Sequence, residues 1–443
     1  MVSATSVLIC RISMPRSLQL VHGLDFSGRS AEKNSELNRQ VKLPCFPRMR
    51  VPLLDLREQY RALAAPIRAQ IEEVLSGQRF ILGPKGEALE QAICSYCAAP
   101  HAIGVSSGTD ALLAILMTLG IGRGDAVITS AYSFVATAAC IARVGAMPLF
   151  VDIDPSTYNL SPSALEHFLG HECEQKAESV IVRKTGVIVR AIVPVHLFGL
   201  CCDMDSVHRI SEQYRLEVIE DAAQAIGAEY RFKSQVKQAG TMGECGFFSF
   251  YPSKNLGAAG DAGMITCRDD MLAERLRICR QHGMKPRYHH HFIGGNFRLD
   301  EIQAAILTVK LPHLNAWSAA RRAAADFYGE ELDRAGLARN ISRPAEPYRQ
   351  RGLTNHHIYH QYVIRTQMRN ALREHLAQRE IETEIYYPIG LHMQECFAYL
   401  GYRKGDFPKT ERAARETLAL PIYPEILAET QRYVVSAIAE FFG

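Results

Sequence analysis

From about residue 101, short apolar segments alternate with segments of helical periodicity, and this alternation constrains the fold most. The apolar segments AIGVSS, DAVITS, MPLFVDID, VRAIVPVHLFG and LEVIEDAAQA are separated by stretches such as TDALLAILMTLG and DSVHRISEQYR. Strands that alternate with helices predict a largely parallel sheet covered by helices. Ligands of such sheets bind beyond the carboxyl ends of the strands, so we expect the functional residues there.

The pattern changes after about residue 300. Residues 299–332 predict one or two long helices, and the rest of the chain mixes the strand-like YHQYVIR with helical segments. We therefore predict a large α/β domain over residues 49–310 and a smaller α+β domain over residues 311–443. Residues 171–187 are polar and irregular, and we interpret them as a surface loop insertion.

The first 48 residues stand apart, because they show no sustained periodicity. They contain Arg11, Arg16, several serines and, up to residue 24, no acid, a composition that an organellar transit peptide would share. The segment from Met49, MRVPLLDLREQYRAL, begins with an extended apolar stretch that leads into an amphipathic helix. We therefore expect Met49 to be the natural start and residues 1–48 to be disordered or untranslated.

Charge and cysteine spacing argue against several classes of protein. The net charge is +3 and the basic residues are scattered, which disfavours nucleic acid and anionic lipid as partners. No apolar run approaches the roughly 18 residues of a membrane-spanning helix. The 12 cysteines include one CxxC, Cys94 to Cys97, without a second pair to complete a zinc site. We expect a soluble cytoplasmic protein with reduced thiols and no metal.

Two strand ends supply polar residues. In GVSSGTDALLAIL, a strand ends at Ser106 and Ser107, and a helix opens after Gly108. The amides at that helix start either hold a phosphate or are simply capped. In LEVIEDAAQAIGA, a strand runs into Glu220 and Asp221, where a carboxylate either caps the next helix or accepts a cationic nitrogen of a ligand.

A lysine in the stretch GFFSFYPSKNLGAAGDAG is a candidate reactive amine. Lys254 follows Ser249 by five residues and precedes a glycine-rich run. A lysine removed from water has a lowered pKa and acts as a nucleophile or base. The alternative is an exposed loop lysine. A fourth segment, GGNFRLDEIQAA, carries Asn296, which either caps the following helix or contributes to the site.

From Met49 onward the sequence resembles the DegT/DnrJ/StrS-type sugar aminotransferases, which have the aspartate-aminotransferase fold and use pyridoxal 5′-phosphate. The matching segments, in family order, are SSGTDALLA, SFVATAACIARVGAMPLFVDIDPSTYNL, IEDAAQAIGA, FFSFYPSKNLGAAGDAG, GGNFRLDEIQAA and YYPIGLH. The resemblance implies a fold type I enzyme, with a large domain built on a mostly parallel mixed sheet. One residue departs from the family pattern, because Leu200 follows HLFG where relatives often have glutamine.

The resemblance also implies roles at the site. Lys254 would form the Schiff base with the cofactor aldehyde, Asp221 would pair with the pyridinium nitrogen, and Gln224 would contact the phenolic oxygen. Phe134 would stack on the cofactor ring, and Asn296 would reach the cofactor phosphate of the neighbouring subunit in a homodimer. The donors to the phosphate within one subunit would be Gly108, Thr109, Asp110 and Ser249.

The implied reaction is transfer of an amino group from L-glutamate to a nucleotide-linked 3-keto or 4-keto hexose, in amino-sugar biosynthesis. Tyr386, Tyr387 and His392 lie in a segment that relatives use near the sugar, although packing between domains explains them equally well. The run His289 to His291 suits a substrate role better than zinc, because adjacent histidines cannot all face one ion. The alternatives are a dehydrase or lyase of the same family, in which histidine tends to replace the lysine, and a non-catalytic regulatory relative.

Overall fold

The computed structural model describes residues 49–443. The expectations for residues 1–48 lie outside the described residues. The described chain begins with an extended stretch in which Val51 bridges Ile381 in parallel and exchanges backbone hydrogen bonds with Glu380 and Glu382.

The helices have the periodicity that the sequence predicts. Their bounds are α1 (Arg57–Gly77), α2 (Pro84–Cys97), α3 (Gly108–Thr118), α4 (Val135–Arg143), α5 (Pro162–His171), α6 (Met204–Tyr214), α7 (Asp270–Cys279), α8 (Glu301–Lys310), α9 (Leu314–Arg334), α10 (Arg369–Gln378), α11 (Pro408–Glu416) and α12 (Ala428–Phe442). Residues 299–332 therefore form two helices, α8 and α9, joined by the 3₁₀ turn Leu311–His313. None of the described helices has the length and apolar character needed to cross a membrane.

The strands carry the β-branched segments. Their bounds are β1 (His101–Val105), β2 (Asp125–Ser130), β3 (Met147–Val151), β4 (Cys173–Lys176), β5 (Ser179–Val182), β6 (Ile188–Val193), β7 (Glu217–Asp221), β8 (Glu229–Phe232), β9 (Gln235–Gln238), β10 (Cys245–Ser249), β11 (Gly263–Cys267), β12 (Tyr362–Arg365) and β13 (Thr417–Leu420). The five strands expected between residues 101 and 225 are confirmed as β1, β2, β3, β6 and β7.

One large sheet organises the fold, with strand order β1-β11-β10-β7-β6-β2-β3. The four neighbouring pairs from β10 to β3 are parallel, whereas β11 runs antiparallel to both β10 and β1. Successive residues of a strand point to opposite faces of the sheet. Val127 belongs to the apolar cluster formed with α3, α4 and α7, whereas its neighbours Ala126 and Ile128 belong to the cluster formed with α2, α5 and α6. The predicted α/β class with a mostly parallel mixed sheet is confirmed.

The interpretation of residues 171–187 as an irregular loop is wrong. They include β4 and β5, which form an antiparallel hairpin, and β5 pairs with β6 at Val180↔Val189, so the insertion extends the main sheet. Val180 and Val182 are buried while the residues between and before them are only partly buried. This alternation in ESVIVRK is the strand signal, and the surrounding charges obscured it.

The C-terminal part has its own core. Tyr328, Leu372 and Val434 from α9, α10 and α12 pack against Ile364 and Leu418 of the two-stranded sheet β12–β13. Helix and strand are segregated here, as the sequence predicts. The described residues nevertheless belong to one compact unit, and the division at residues 310 and 311 stays a prediction.

Candidate active site

Three strand ends meet at one edge of the large sheet. Val105 of β1 and Ser249 of β10 both face Gly263 at the start of β11, and Phe247 of β10 faces Asp221 of β7. Because β1, β10 and β7 point the same way, the residues after their carboxyl ends gather at this edge. The sequence segments that carry the phosphate cradle, the carboxylate and the lysine are therefore adjacent in space.

A cavity of about 530 Å³ opens at this edge. It is lined by Ser107, Gly108, Thr109, Leu112, Ser133, Phe134, Ala136, Thr137, Cys140, Val195, Asp221, Ala223, Gln224, Phe247, Ser249, Tyr251, Ser253, Lys254, Asp261, His360, Gln361, Tyr386 and Tyr387. Nine of the twelve residues predicted for the site line it: all except Asp110, Asn296 and His392.

The floor of the cavity is the N-terminus of α3, which close backbone contacts hold against β10 and β11. A Cβ on Gly108 would lie 2.9 Å from Ser249 Cβ, and one on Gly263 would lie 2.5 Å from the carbonyl carbon of Ser107. The amides of Gly108 and Thr109 precede the first intrahelical hydrogen bond and have no partner within residues 49–443. Two free amides, the helix dipole and the Ser249 hydroxyl at the cavity wall suit a phosphate group.

The polar groups of Asp110 form local hydrogen bonds, and its contact with the phosphate stays a prediction. Its backbone N–H donates to Ser107 Oγ over 3.0 Å, and its carboxylate accepts from Ser106 Oγ over 2.6 Å. The amide of Asp110 is therefore used in the N-terminal cap of α3, its carboxylate binds the serine that precedes the cap, and Asp110 does not line the cavity.

Asp221 is a buried carboxylate at the cavity wall, 6% exposed. Its Oδ2 accepts from Thr137 Oγ1 over 2.8 Å, and its Oδ1 accepts from Ala223 N over 3.2 Å. Burial raises the pKa of Asp221, while these two hydrogen bonds and the nearby charge of Lys254 oppose the shift. A buried anion of this kind favours a cationic ligand atom beside it.

Lys254 extends into the same cavity, where the described residues provide no hydrogen bond for Nζ. Burial lowers its pKa to about 8, and Asp221 opposes this with its negative charge. Near neutral pH a larger fraction of this amine is unprotonated than of an ordinary lysine, as a nucleophile for an aldehyde requires.

Both ends of the Gln224 side-chain amide form hydrogen bonds that fix its orientation. Its Oε1 accepts from Phe198 N over 2.8 Å, and its Nε2 donates to Tyr387 Oη over 3.0 Å. The Tyr387 ring lies 6.1 Å from that of Phe134, which is 55% exposed. These residues form a polar and an aromatic wall near Asp221 and Lys254.

Two predicted residues lie away from the cavity. Asn296 is exposed on the loop between α7 and α8, where it bridges Gln281. His392 is 2% exposed, its Nε2 lies 3.3 Å from Glu411 Oε1, and its ring packs edge-on against Phe407. The proposed contact of His392 with a sugar is therefore not supported, and packing accounts for this side chain.

The structure also locates Leu200, which departs from the family pattern, and the run His289 to His291. Leu200 is 2% exposed within the main core and does not line the cavity. His289 to His291 are exposed, and His290 Nδ1 lies 2.9 Å from the carbonyl oxygen of His282. No group of three or more potential ligands in residues 49–443 is arranged to hold a metal.

Several lining residues were missed by sequence reasoning. Thr137 supports Asp221 from the helix α4, and His360 and Gln361 reach the cavity from the segment before β12, more than 100 positions after Lys254. Thr137 had a weak signal, because it lies in the segment SFVATAAC that carries the resemblance. His360 had none, since local sequence does not show which distant segment closes a cavity.

These features define the class of protein. A helix N-terminus with free amides, a buried carboxylate and a lysine of lowered pKa fit, respectively, the phosphate, the ring nitrogen and the aldehyde of pyridoxal phosphate on an α/β fold. Residues 62–439 match the model of the DegT/DnrJ/EryC1/StrS aminotransferase family, and the chain belongs to that family. It is a pyridoxal-phosphate-dependent aminotransferase.

Two relatives show the range of names in the family. The chain is 46% identical over 394 residues to the pleiotropic regulatory protein of Geobacillus stearothermophilus, an alignment that covers 89% of this chain and 99% of that protein. It is 38% identical over 388 residues to the UDP-N-acetyl-3-dehydro-alpha-D-glucosamine 3-aminotransferase of Acidithiobacillus ferrooxidans, covering 88% of this chain and 97% of the relative.

Solved structures agree with the fold. A DegT DnrJ EryC1 StrS aminotransferase from Brucella abortus is similar with a TM-score of 0.81 and 34% identity, covering 89% of this chain and 100% of that chain. The protein ntda of Bacillus subtilis, solved with bound cofactor PMP, has a TM-score of 0.77 and 28% identity, covering 89% and 86%.

Proposed function

We propose that this enzyme transfers an amino group from L-glutamate to a nucleotide-linked 3-keto hexose in amino-sugar biosynthesis. The observation that carries the proposal is the joint presence of Lys254, Asp221 and the free α3 amides around one cavity. Relatives named as a 3-aminotransferase of a UDP-linked 3-dehydro sugar and as transaminases of dTDP-linked 3-amino sugars favour C3 over C4 as the aminated carbon.

Different residues would hold different parts of the cofactor. The amides of Gly108 and Thr109 at the start of α3, with the Ser249 hydroxyl, would hold the phosphate. Asp221 would keep the ring nitrogen protonated, because a buried carboxylate stabilises a cation beside it. Gln224 would contact the phenolic oxygen of the ring, and Phe134 would stack on the ring.

Lys254 has two roles in sequence. It would hold the cofactor through its amine, and once a substrate amine had taken its place, the freed amine would take the proton from the substrate carbon as a general base and deliver it to the cofactor carbon as a general acid. The bound cofactor supplies the electron sink for this proton removal. The lowered pKa suits both directions of transfer near neutral pH.

We further propose a cytoplasmic homodimer in which Asn296 serves the neighbouring subunit. Asn296 is exposed and does not reach the cavity of its own chain. Its loop also presents Tyr288 and Ile293, 75% and 85% exposed, which a second copy would cover.

Two other functions predict different residues or behaviour. A dehydrase or lyase of this family would favour histidine in place of Lys254, so the lysine supports transfer. A purely regulatory protein would match the name of one relative. It has no need for a lysine of lowered pKa next to a buried carboxylate, and we therefore favour catalysis.

The test uses the purified holoenzyme. We expect a yellow protein whose cofactor is fixed to Lys254 by borohydride, as peptide mass spectrometry would show. L-glutamate should bleach the aldehyde absorbance, and UDP- and dTDP-linked 3-keto hexoses should restore it and yield the 3-amino sugar. Lys254→Ala is the inactive control. A protein that binds no aldehyde cofactor after reconstitution would exclude every enzymatic interpretation.

A further inference from the structure

His360 closes one wall of the Lys254 cavity from the C-terminal part of the chain. The side chain is 5% exposed. Its Nε2 has no hydrogen bond within residues 49–443 and is not completely enclosed by protein atoms. Because the residue lines the cavity, we infer that this atom is accessible from it. A nearly buried ring nitrogen without a protein partner is a site for a ligand or a water molecule.

Asn255 determines which nitrogen of His360 carries the hydrogen. Asn255 Nδ2 donates to the carbonyl oxygen of Ile358 over 3.0 Å, so its Oδ1 is left as the acceptor. Oδ1 lies 3.1 Å from His360 Nδ1, which must therefore be the N–H donor. The lone pair of the ring is consequently on Nε2, the atom that faces the cavity.

The surroundings keep this ring neutral. Burial lowers the pKa of His360 well below its ordinary value, and the positive charges of Lys254 and Arg321 lower it further. Arg321 contacts the backbone of the same segment, where its Nη1 donates to Tyr359 O over 3.1 Å and to His360 O over 3.5 Å. A neutral ring with Nδ1 protonated accepts hydrogen bonds at Nε2 and donates none there.

We propose that His360 Nε2 is a fixed hydrogen-bond acceptor for a substrate of this site. It takes an N–H or O–H donor of the molecule bound against Lys254, either a hydroxyl of the keto sugar or the ammonium group of the amino donor. This inference rests on the proposed function, because these are its two substrates. No proton is transferred to the ring, so His360 selects and orients the ligand while Lys254 carries the proton.

The neighbouring His357 offers a matched control. It is also buried, and burial lowers its pKa to about 3. Its Nδ1 accepts from Tyr359 N over 2.9 Å, and it does not line the cavity. Replacing either histidine therefore removes a buried neutral ring, but only His360 presents a free nitrogen to a substrate.

The experiment compares His360→Phe, His360→Gln and His357→Phe with wild-type holoenzyme, each checked for cofactor absorbance and thermal unfolding. One measurement is calorimetric affinity for a UDP-linked 3-amino hexose, the product of the proposed reaction. The other is the rate at which L-glutamate bleaches the cofactor. We expect His360→Phe to weaken one of them about 10-fold, the effect of one hydrogen bond to a desolvated group, and the affected arm identifies the donor. Glutamine retains an acceptor and should recover part of the loss.

Nitrogen-15 NMR of histidine-labelled wild-type holoenzyme reads the same inference without catalysis. We expect the His360 signal, assigned by its loss in His360→Gln, to show the Nδ1-protonated neutral ring from about pH 6 to pH 8. The inference is overturned if the ring gains a proton in that range, if both arms are unchanged in His360→Phe, or if His357→Phe has an equal effect. Failure of the proposed function looks different: wild-type enzyme would then leave every nucleotide sugar unchanged while the NMR result still stands.

Discussion

Thr137 Oγ1 donates a hydrogen bond to Asp221 Oδ2 over 2.8 Å at the buried wall of the site. Ser133 Oγ lies 3.2 Å from the same threonine oxygen. Since the threonine hydrogen points to the carboxylate, Ser133 is the donor in this second contact. A short chain of hydroxyls therefore stabilises the charged form of Asp221 against the cost of burial.

Loss of the Thr137 hydroxyl should weaken the hold of Asp221 on the cofactor. In Thr137→Val, Oδ2 loses its donor, so the pKa of Asp221, already raised by burial, rises further. We expect the dissociation constant of pyridoxal phosphate to rise about 10-fold, measured by absorbance titration of reconstituted protein. Thr137→Ser keeps the hydroxyl and should remain close to wild type. Equal affinity in the valine variant would contradict the proposed support of Asp221.

Asp221 should in turn control the ionisation of Lys254. The carboxylate raises the pKa of the lysine while burial lowers it to about 8. In cofactor-free Asp221→Asn the attraction is gone, so the pKa of Lys254 should fall below that of the wild type. Competitive acetylation of the amine, followed by mass spectrometry across a pH series, measures this shift. Asp261→Asn is the control, since Asp261 lines the cavity but does not shift the pKa of Lys254. An unchanged midpoint in Asp221→Asn would contradict the coupling.

Tyr132 holds the tyrosine pair at the cavity wall. Its hydroxyl donates to Tyr386 O over 2.6 Å and accepts from Tyr387 N over 2.9 Å. Tyr132→Phe leaves both backbone groups unpaired, so the Tyr387 hydroxyl that meets Gln224 should lose its fixed position. We expect the free energy of unfolding to fall by about 1–3 kcal/mol in urea titration. The KM for the nucleotide sugar should rise.

Tyr158→Phe is the control for this prediction. Tyr158 is also buried, its ring lies 6.3 Å from that of Tyr132, and its hydroxyl has no hydrogen-bond partner within the described residues. Removal of its hydroxyl should therefore leave both stability and KM almost unchanged. Equal losses in the two variants would mean that any change in this aromatic cluster has the same effect.

The local parts of this site follow from sequence, whereas the parts that join distant segments do not. The strand ends are readable from apolar runs, at Asp221 directly and at Val105 to within two residues, and Lys254 from its unusual neighbours. The support of Asp221 by Thr137 spans 84 positions, and the contact of Tyr132 with Tyr387 spans 255. Such contacts depend on how helices and loops pack, which periodicity does not specify.

The wrong interpretation of residues 171–187 and the position of His392 both show where local sequence is insufficient. The sequence predicts a loop at the hairpin β4–β5 because charged residues precede and follow the short apolar run, although Val180 and Val182 alternate as a strand requires. His392 follows the two tyrosines in YYPIGLH, yet the chain turns between them, so the histidine lies against Phe407 while Tyr387 faces the cavity. Nearness in sequence is a poor guide to a shared site once the backbone turns.

A buried carboxylate on the opposite face of β7 should determine acid stability. Glu220 is fully buried and accepts from the amides of Gly240, Met242 and Gly243 and from His196 Nε2, 2.8 Å away. Burial raises the pKa of Glu220, but these hydrogen bonds outweigh it, and the net shift is downward. Because the folded protein then binds the proton less readily than the unfolded chain, the stabilisation is present above the unfolded pKa and is lost as the pH falls.

The substitution Glu220→Gln tests the contribution of the carboxylate to stability. The glutamine NH2 group is a donor and would face backbone N–H groups that are also donors. We expect the free energy of unfolding near pH 7 to fall by about 3 kcal/mol or more, together with a weaker pH dependence below pH 5. Urea titrations at several pH values measure both quantities. Glu330→Gln, on the exposed face of α9, should match wild type. A variant as stable as wild type would show that Glu220 contributes little.

The subunit that receives Asn296 can be identified by mixing two defective variants. Lys254→Ala has no reactive amine, and we expect Asn296→Ala to bind the cofactor phosphate more weakly, by about 10-fold for one lost hydrogen bond to a charged group. If Asn296 serves the neighbouring subunit, a mixed dimer has one site with both substitutions and one site with neither. That intact site should show wild-type turnover and cofactor affinity, with half as many active sites per dimer.

If Asn296 serves its own subunit, the only site with Lys254 lacks Asn296, and the mixed dimer should bind the cofactor as weakly as Asn296→Ala alone. Differently tagged subunits, purified as mixed dimers and titrated with pyridoxal phosphate, distinguish the two results. A chain that stays monomeric in sedimentation would rule out the shared site altogether.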